Sequence, residues 1–174
     1  MSLPLVSHLM GRIAALGAEF RAPVLIHMEA EPERAAAMER LLAAHPNAAF
    51  IWAHNCGRGG APAISSFLSR FPNLMCDLGG MAAVERGGYG TFWPKKTPWM
   101  HVIEDGYGKL NPEMRDLFER FPRRFMVGTD AAHTPALRTY TSRIARFREL
   151  LSQLSLPAAK RIAYENAAEL FGVK

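Results

Sequence analysis

Three side chains suited to metal-assisted chemistry each follow an apolar run. His27 follows Val24-Leu25-Ile26, His54 follows Phe50-Ile51-Trp52-Ala53, and Asp130 comes at the end of Phe125-Met126-Val127-Gly128-Thr129. Two imidazoles and a carboxylate are suitable ligands for a borderline metal such as zinc, iron, manganese or cobalt. A metal held by them would lower the pKa of a bound water to about 7 and polarise a carbonyl, a route to hydrolysis that needs no protein nucleophile. A fourth run, Leu74-Met75-Cys76, ends in Asp77. That carboxylate reads as a capping or supporting group rather than a ligand.

Elements must bring these distant positions together. Leu9, Ile13, Leu16 and Phe20 recur at helical spacing between Ser7 and Phe20, and the Arg21-Ala22-Pro23 turn stops that helix before the first strand. A second helix is expected from Pro32 to His45, with His45 as its end cap, and a second strand over Ala48 to His54. The glycine-rich stretch Asn55 to Pro62 reads as a turn rather than a phosphate loop, because it lacks Gly-Lys-Ser/Thr, with Arg58 its notable side chain. A helix over Ala61 to Phe71, a third strand to Asp77, a helix over Glu113 to Phe121 and a fourth strand from Arg124 to Asp130 follow. Two helices, Pro135 to Leu154 and Leu156 to Phe171, close the chain before Gly172. Residues 79–111 carry Gly, Trp, Tyr, Lys and Pro with little periodicity and read as a long loop excursion. Within it Trp93, Lys95, Lys96, Trp99 and His101 are candidates for contact with an acidic or aromatic substrate, or for packing the loop onto its own surface. His133 is close enough to Asp130 in sequence to support it.

Strands alternating with helices imply right-handed crossovers and a parallel sheet, so the four strand ends point the same way. His27, His54, Asp77 and Asp130 should then share one rim, the place where barrels of such units house their chemistry. The 174 residues, 49% of them hydrophobic, are enough for one domain with a sizeable core. The formal net charge of +5 is scattered, with no basic run longer than Lys95-Lys96 or Arg123-Arg124, so no nucleic-acid stripe is indicated. No segment reaches the roughly 20 apolar residues that span a bilayer. Cys56 and Cys76 are separated by a helix and form no C-x-x-C pair, which argues against a disulfide framework or a zinc knuckle and makes a reducing cytoplasm the expected compartment.

Three stretches, Ile51-Trp52-Ala53-His54-Asn55-Cys56-Gly57, Phe125-Met126-Val127-Gly128-Thr129-Asp130-Ala131-Ala132-His133 and the terminal Ile162 to Gly172, resemble the later half of the amidohydrolase superfamily, in particular its second amidohydrolase group with its decarboxylases. The resemblance implies an α/β, TIM-barrel-like fold in which this chain supplies four β/α units, strands five to eight of a (β/α)8 barrel. It implies His27, His54 and Asp130 as ligands of a divalent metal, zinc foremost, with Asp130 also taking the proton of the attacking water and His54 serving as ligand or as donor to water or substrate. It implies hydrolysis of a C–N or C–O bond in a small-molecule substrate, or decarboxylation; the rival reading is a non-catalytic half-barrel assembly module. The His-x-His pair of the family's first strand occurs nowhere in this chain, and Asn55-Cys56-Gly57 stands where a shorter His-Gly-Gly is common. The chain is then either a truncated piece or a natural half-barrel, and with its open edges and inner face it is expected to form a homo-oligomer and to hold metal weakly by itself.

Overall fold

The computed structural model describes residues 4–81, 102–105, 107–132 and 134–173. Trp93, Lys95, Lys96, Trp99, His101 and His133 lie outside the described residues. The order is α1 (His8–Glu19), β1 (Val24–Ile26), α2 (Pro32–Ala44), β2 (Phe50–Trp52), a tight turn (Ala53–Arg58), α3 (Ala61–Arg70), β3 (Leu74–Asp77), α4 (Pro112–Arg120), a 3-10 turn (Pro122–Arg124), β4 (Phe125–Met126), α5 (Thr134–Arg138), α6 (Tyr140–Leu151), α7 (Leu156–Lys160), a π turn (Arg161–Glu165) and α8 (Asn166–Phe171). Ser7 caps α1 by accepting from the Met10 N–H, and Pro32 and Pro112 occupy first turns where the missing N–H costs nothing. His45 terminates α2, as its position after the apolar stripe implied.

The four strands form one parallel sheet in the order β1-β2-β3-β4. The register aligns Ile26, Trp52, Cys76 and Phe125 across it. Because side chains alternate along a strand, Phe50, Trp52, Leu74, Cys76 and Phe125 share the face under the helices, and all are fully buried. There Trp52 meets Phe67 of α3 edge to face at 5.3 Å and Phe118 of α4 meets Phe125 at 4.8 Å. Each such pair contributes about 0.5–1.5 kcal/mol beyond its buried area. On the opposite face Ile51 and Met126 are covered, whereas Leu25 of the edge strand β1 is 62% exposed.

The strands are shorter than the apolar runs. β2 stops at Trp52 because the backbone turns left-handed after Ala53, and β4 stops at Met126 because the Val127 N–H leaves the sheet for the Ile162 carbonyl in the π turn. That diversion also explains the wide turn inside the closing helix: one carbonyl is given to the sheet end instead of to its own helix. Asn166 secures the same contact, donating at 2.7 Å to both Pro122 and Phe125 carbonyls. Arg124 donates to the Leu68, Phe71 and Leu74 carbonyls, closing the gap between α3 and β3, and burial lowers its pKa.

At its described ends the 79–111 stretch joins the core. Met81 and Ile103 are buried, and Glu104 pairs with Leu110 in an antiparallel bridge. Glu104 is fully buried and meets Arg146 of α6 at 2.9 Å, which fastens this hairpin to the helix layer. No helix among the described residues is long and apolar enough to cross a membrane.

Candidate functional site at the carboxyl rim

The rim is built around five successive residues with positive φ: His54 (57°), Asn55 (53°), Cys56 (52°), Gly57 (72°) and Arg58 (61°). This is one turn of left-handed helix. It costs about 1–2 kcal/mol for each residue with a Cβ, so the surrounding structure must hold it. It does so from three sides. The Ala30 N–H donates to the Gly57 carbonyl at 2.9 Å, Arg58 pairs with Glu29, and the Trp52 indole donates to the Met28 carbonyl at 2.7 Å, which together clamp the turn to the loop after β1. On the other flank Cys56 is joined to Cys76 of β3 by a disulfide. From within, the Asn55 amide donates to the Gly59 carbonyl at 3.2 Å. Only glycine suits position 57, since a Cβ there would stand 2.6 Å from the Met28 carbonyl oxygen and 2.7 Å from the Ala30 nitrogen.

The disulfide corrects the expectation of two unpaired cysteines. Distance along the chain misled: the parallel register sets Trp52 beside Cys76, and the left-handed turn then folds Cys56 back over β3 until the two Cα atoms are 4.9 Å apart. The inference from unpaired cysteines to a reducing compartment loses its premise.

The clamped turn sets the buried His54 ring against the exposed ring of His27. His27, directly after β1, and His54 meet edge to face with ring centroids 4.5 Å apart. His54 is buried, and its Nδ1 lies 2.7 Å from the Gly79 carbonyl oxygen. A carbonyl can only accept, so Nδ1 carries the proton and Nε2 is the unprotonated nitrogen of the neutral ring. A ring oriented through one nitrogen in this way presents the other as a ligand or proton acceptor. Asp77 at the end of β3 accepts from the His54 N–H at 3.3 Å and from the Gly79 N–H at 2.6 Å, the supporting part its position implied.

Asp130 lies four residues beyond β4 with φ 51°, and its carboxylate is exposed, with no hydrogen bond or ion pair among the described residues. It is nonetheless on the same rim: a Cβ at Gly80 would stand 3.0 Å from Asp130 Oδ2 and 3.6 Å from His54 Nδ1. Gly80, at φ 66°, keeps that space open. The donor types suit zinc, but among the described residues no group of three or more His, Cys, Asp or Glu side chains is placed to hold a metal ion. The rim of this chain by itself does not fit a complete metal site.

Sequence reasoning missed the parts of Gly79 and Gly80, although two glycines one residue beyond a strand ending in a carboxylate were a visible sign of close backbone approach. It also missed Asn55, which is fully buried with its Oδ1 unpartnered.

A sheet of four parallel strands, helices on one face and polar groups gathered at the carboxyl ends define half of a TIM-type barrel. A family model for amidohydrolases matches residues 4–173, and the chain belongs to that family. Three solved structures share the fold. An uncharacterised TIM-barrel protein from Bordetella bronchiseptica is 14% identical with a TM-score of 0.65, covering 98% of this chain and 52% of its own. A proposed 2-pyrone-4,6-dicarboxylic acid hydrolase from Pseudomonas putida is 15% identical with a TM-score of 0.62, covering 99% and 59%. An amidohydrolase from Burkholderia multivorans with bound zinc is 14% identical with a TM-score of 0.58, covering 98% and 59%. The chain therefore spans somewhat over half the length of these barrels. No curated protein matches it in sequence.

Proposed function

We propose that this chain, a single half-barrel domain, supplies the later half of an amidohydrolase-type active site, the units of strands five to eight, for hydrolysis of a C–N or C–O bond in a small-molecule substrate. The observation that carries the reading is the imidazole pair at 4.5 Å with Asp130 beside the same glycine as His54. Water would add to the substrate carbonyl carbon while Asp130, exposed and without a partner among the described residues, accepts its proton, and the departing nitrogen or oxygen leaves protonated. His54, its Nδ1–H committed to Gly79, offers Nε2 to water, substrate or metal. The Burkholderia neighbour's zinc favours zinc as the metal of a completed rim, and the three groups here need further ligands to make that site.

In the protein that completes the barrel, Asp130→Asn is expected to lower kcat by about 10²–10⁴-fold, the usual worth of a general base, with the melting temperature unchanged. Turnover close to normal after metal loading would remove Asp130 from the site.

That no three-ligand group is placed to hold a metal among the described residues favours a second reading, an assembly module that is inactive alone. Leu25 on the edge strand and Val6, Leu9, Leu16 and Phe20 around α1 are exposed large apolar side chains, so either the missing half or a second copy is expected to cover this side. Sedimentation at micromolar concentration should find a dimer or larger species; a compact stable monomer would exclude self-assembly.

A further inference from the structure

We infer that Asp77 is a positioning residue for His54: its carboxylate fixes which imidazole nitrogen carries the proton, acting through Gly79. The inference rests on the reading of His54 as a working group of the site, but the geometry behind it does not. One carboxylate oxygen, Oδ1, accepts from the His54 N–H at 3.3 Å and from the Gly79 N–H at 2.6 Å. The Gly79 carbonyl in turn accepts from His54 Nδ1 at 2.7 Å. Residue 79 is thus held at both its N–H and its C=O, and His54 at both its backbone and its ring, in a closed circuit whose only charged member is Asp77. A charge-assisted bond to a backbone N–H is about twice as strong as a neutral one, so the Gly79 peptide has one favoured orientation and its carbonyl one aim.

The neighbourhood is shaped to admit this carboxylate. A Cβ at Gly79 would lie 2.8 Å from Asp77 Oδ1 and a Cβ at Gly128 3.1 Å from it, so the chain runs close past the carboxylate on two sides without side chains. The two aspartates of the rim divide the labour. Asp77 has its oxygen engaged by N–H donors, whereas Asp130 has no partner among the described residues. Without the Gly79 carbonyl as acceptor, a neutral histidine reverts toward the Nε2–H form that it prefers in water, which would put a proton where the rim needs a lone pair.

The left-handed turn has supports other than Asp77: the disulfide to Cys76, the Ala30 to Gly57 hydrogen bond and the Arg58–Glu29 pair. Removal of Asp77 should therefore free the imidazole while leaving the turn in place.

The test is long-range proton–nitrogen correlation NMR on the whole chain labelled with ¹⁵N-histidine at pH 8, with His54 assigned by loss of its signals in His54→Gln. The native chain should have His54 protonated at Nδ1 alone. Asp77→Ala should shift it to Nε2–H or to an averaged mixture, and Asp77→Asn, which keeps an acceptor oxygen of the same shape, should restore the Nδ1–H form. An unchanged tautomer in Asp77→Ala overturns the inference. Should Asp77→Ala fail to fold, Asp77→Leu, which keeps the approximate shape without an acceptor, is read instead, and an unchanged Nδ1–H tautomer in it overturns the inference as well. The readout needs no turnover, so failure of the hydrolase reading in the Asp130→Asn experiment leaves it standing and the converse also holds.

Discussion

His54 and Asp130 stand on one rim and are held in opposite ways. His54 lies in a buried left-handed turn bound by a disulfide, an ion pair and backbone hydrogen bonds, with its ring nitrogen engaged. Asp130 has passed the end of its strand, stands exposed and touches no hydrogen-bonding partner among the described residues. The β1-to-β3 side of the rim is thus preorganised by this chain alone, and the β4 side offers a carboxylate without a partner among the described residues. Rigid support matters for a ligand or base that must keep one tautomer and one direction. A carboxylate that is to bind a cation or take a proton gains from being left without competing donors. Under the proposed function, the remaining groups of the site would be the ones to partner Asp130.

The sharpest way to break the contrast is at Gly57. Gly57→Ala forces a Cβ into the Met28 and Ala30 backbone at a φ of 72° and should cost about 3–5 kcal/mol in urea unfolding. A loss below about 1 kcal/mol would mean that the turn can reorganise freely and that the locked side is not locked. Next comes the disulfide. Its cysteines are 20 residues apart, so replacing both by serine should remove about 3 kcal/mol, most of it through a less restricted unfolded chain. The same double variant should move the His27 and His54 ring signals more than any signal of Asp130; equal movement on both sides would erase the distinction. The smallest effect is expected at Asp130 itself, where Asp130→Ala should change stability by no more than about 0.5 kcal/mol, the range for exposed positions without partners. A larger loss would assign this carboxylate a structural part.

Much of this was legible in the sequence. Apolar runs of strand length between amphipathic stretches gave four β/α units and one common rim, since a strand buried on both faces must be apolar and parallel crossovers must point the strands one way. The identity of the rim residues followed from the same logic, because each run ended in a group able to do chemistry. The motifs around His54 and Asp130 carried the family as well.

Tertiary structure alone decided how those groups are held. The apolar run to His54 gave no sign that the chain turns left-handed after Ala53, because residues with a Cβ visit positive φ singly and not in a run, and this run is held by contacts from the β1 loop and β3. Cys56 and Cys76 looked unpaired for the same reason: their meeting depends on strand register, which no local spacing encodes. The burial of Glu104 depends on Arg146, 42 positions away, and the tautomer of His54 on a carbonyl 25 positions away. Periodicity records which side of an element faces the core, whereas the chemistry of a site depends on pairs of groups brought together across elements, and those distances exist only once the sheet has formed.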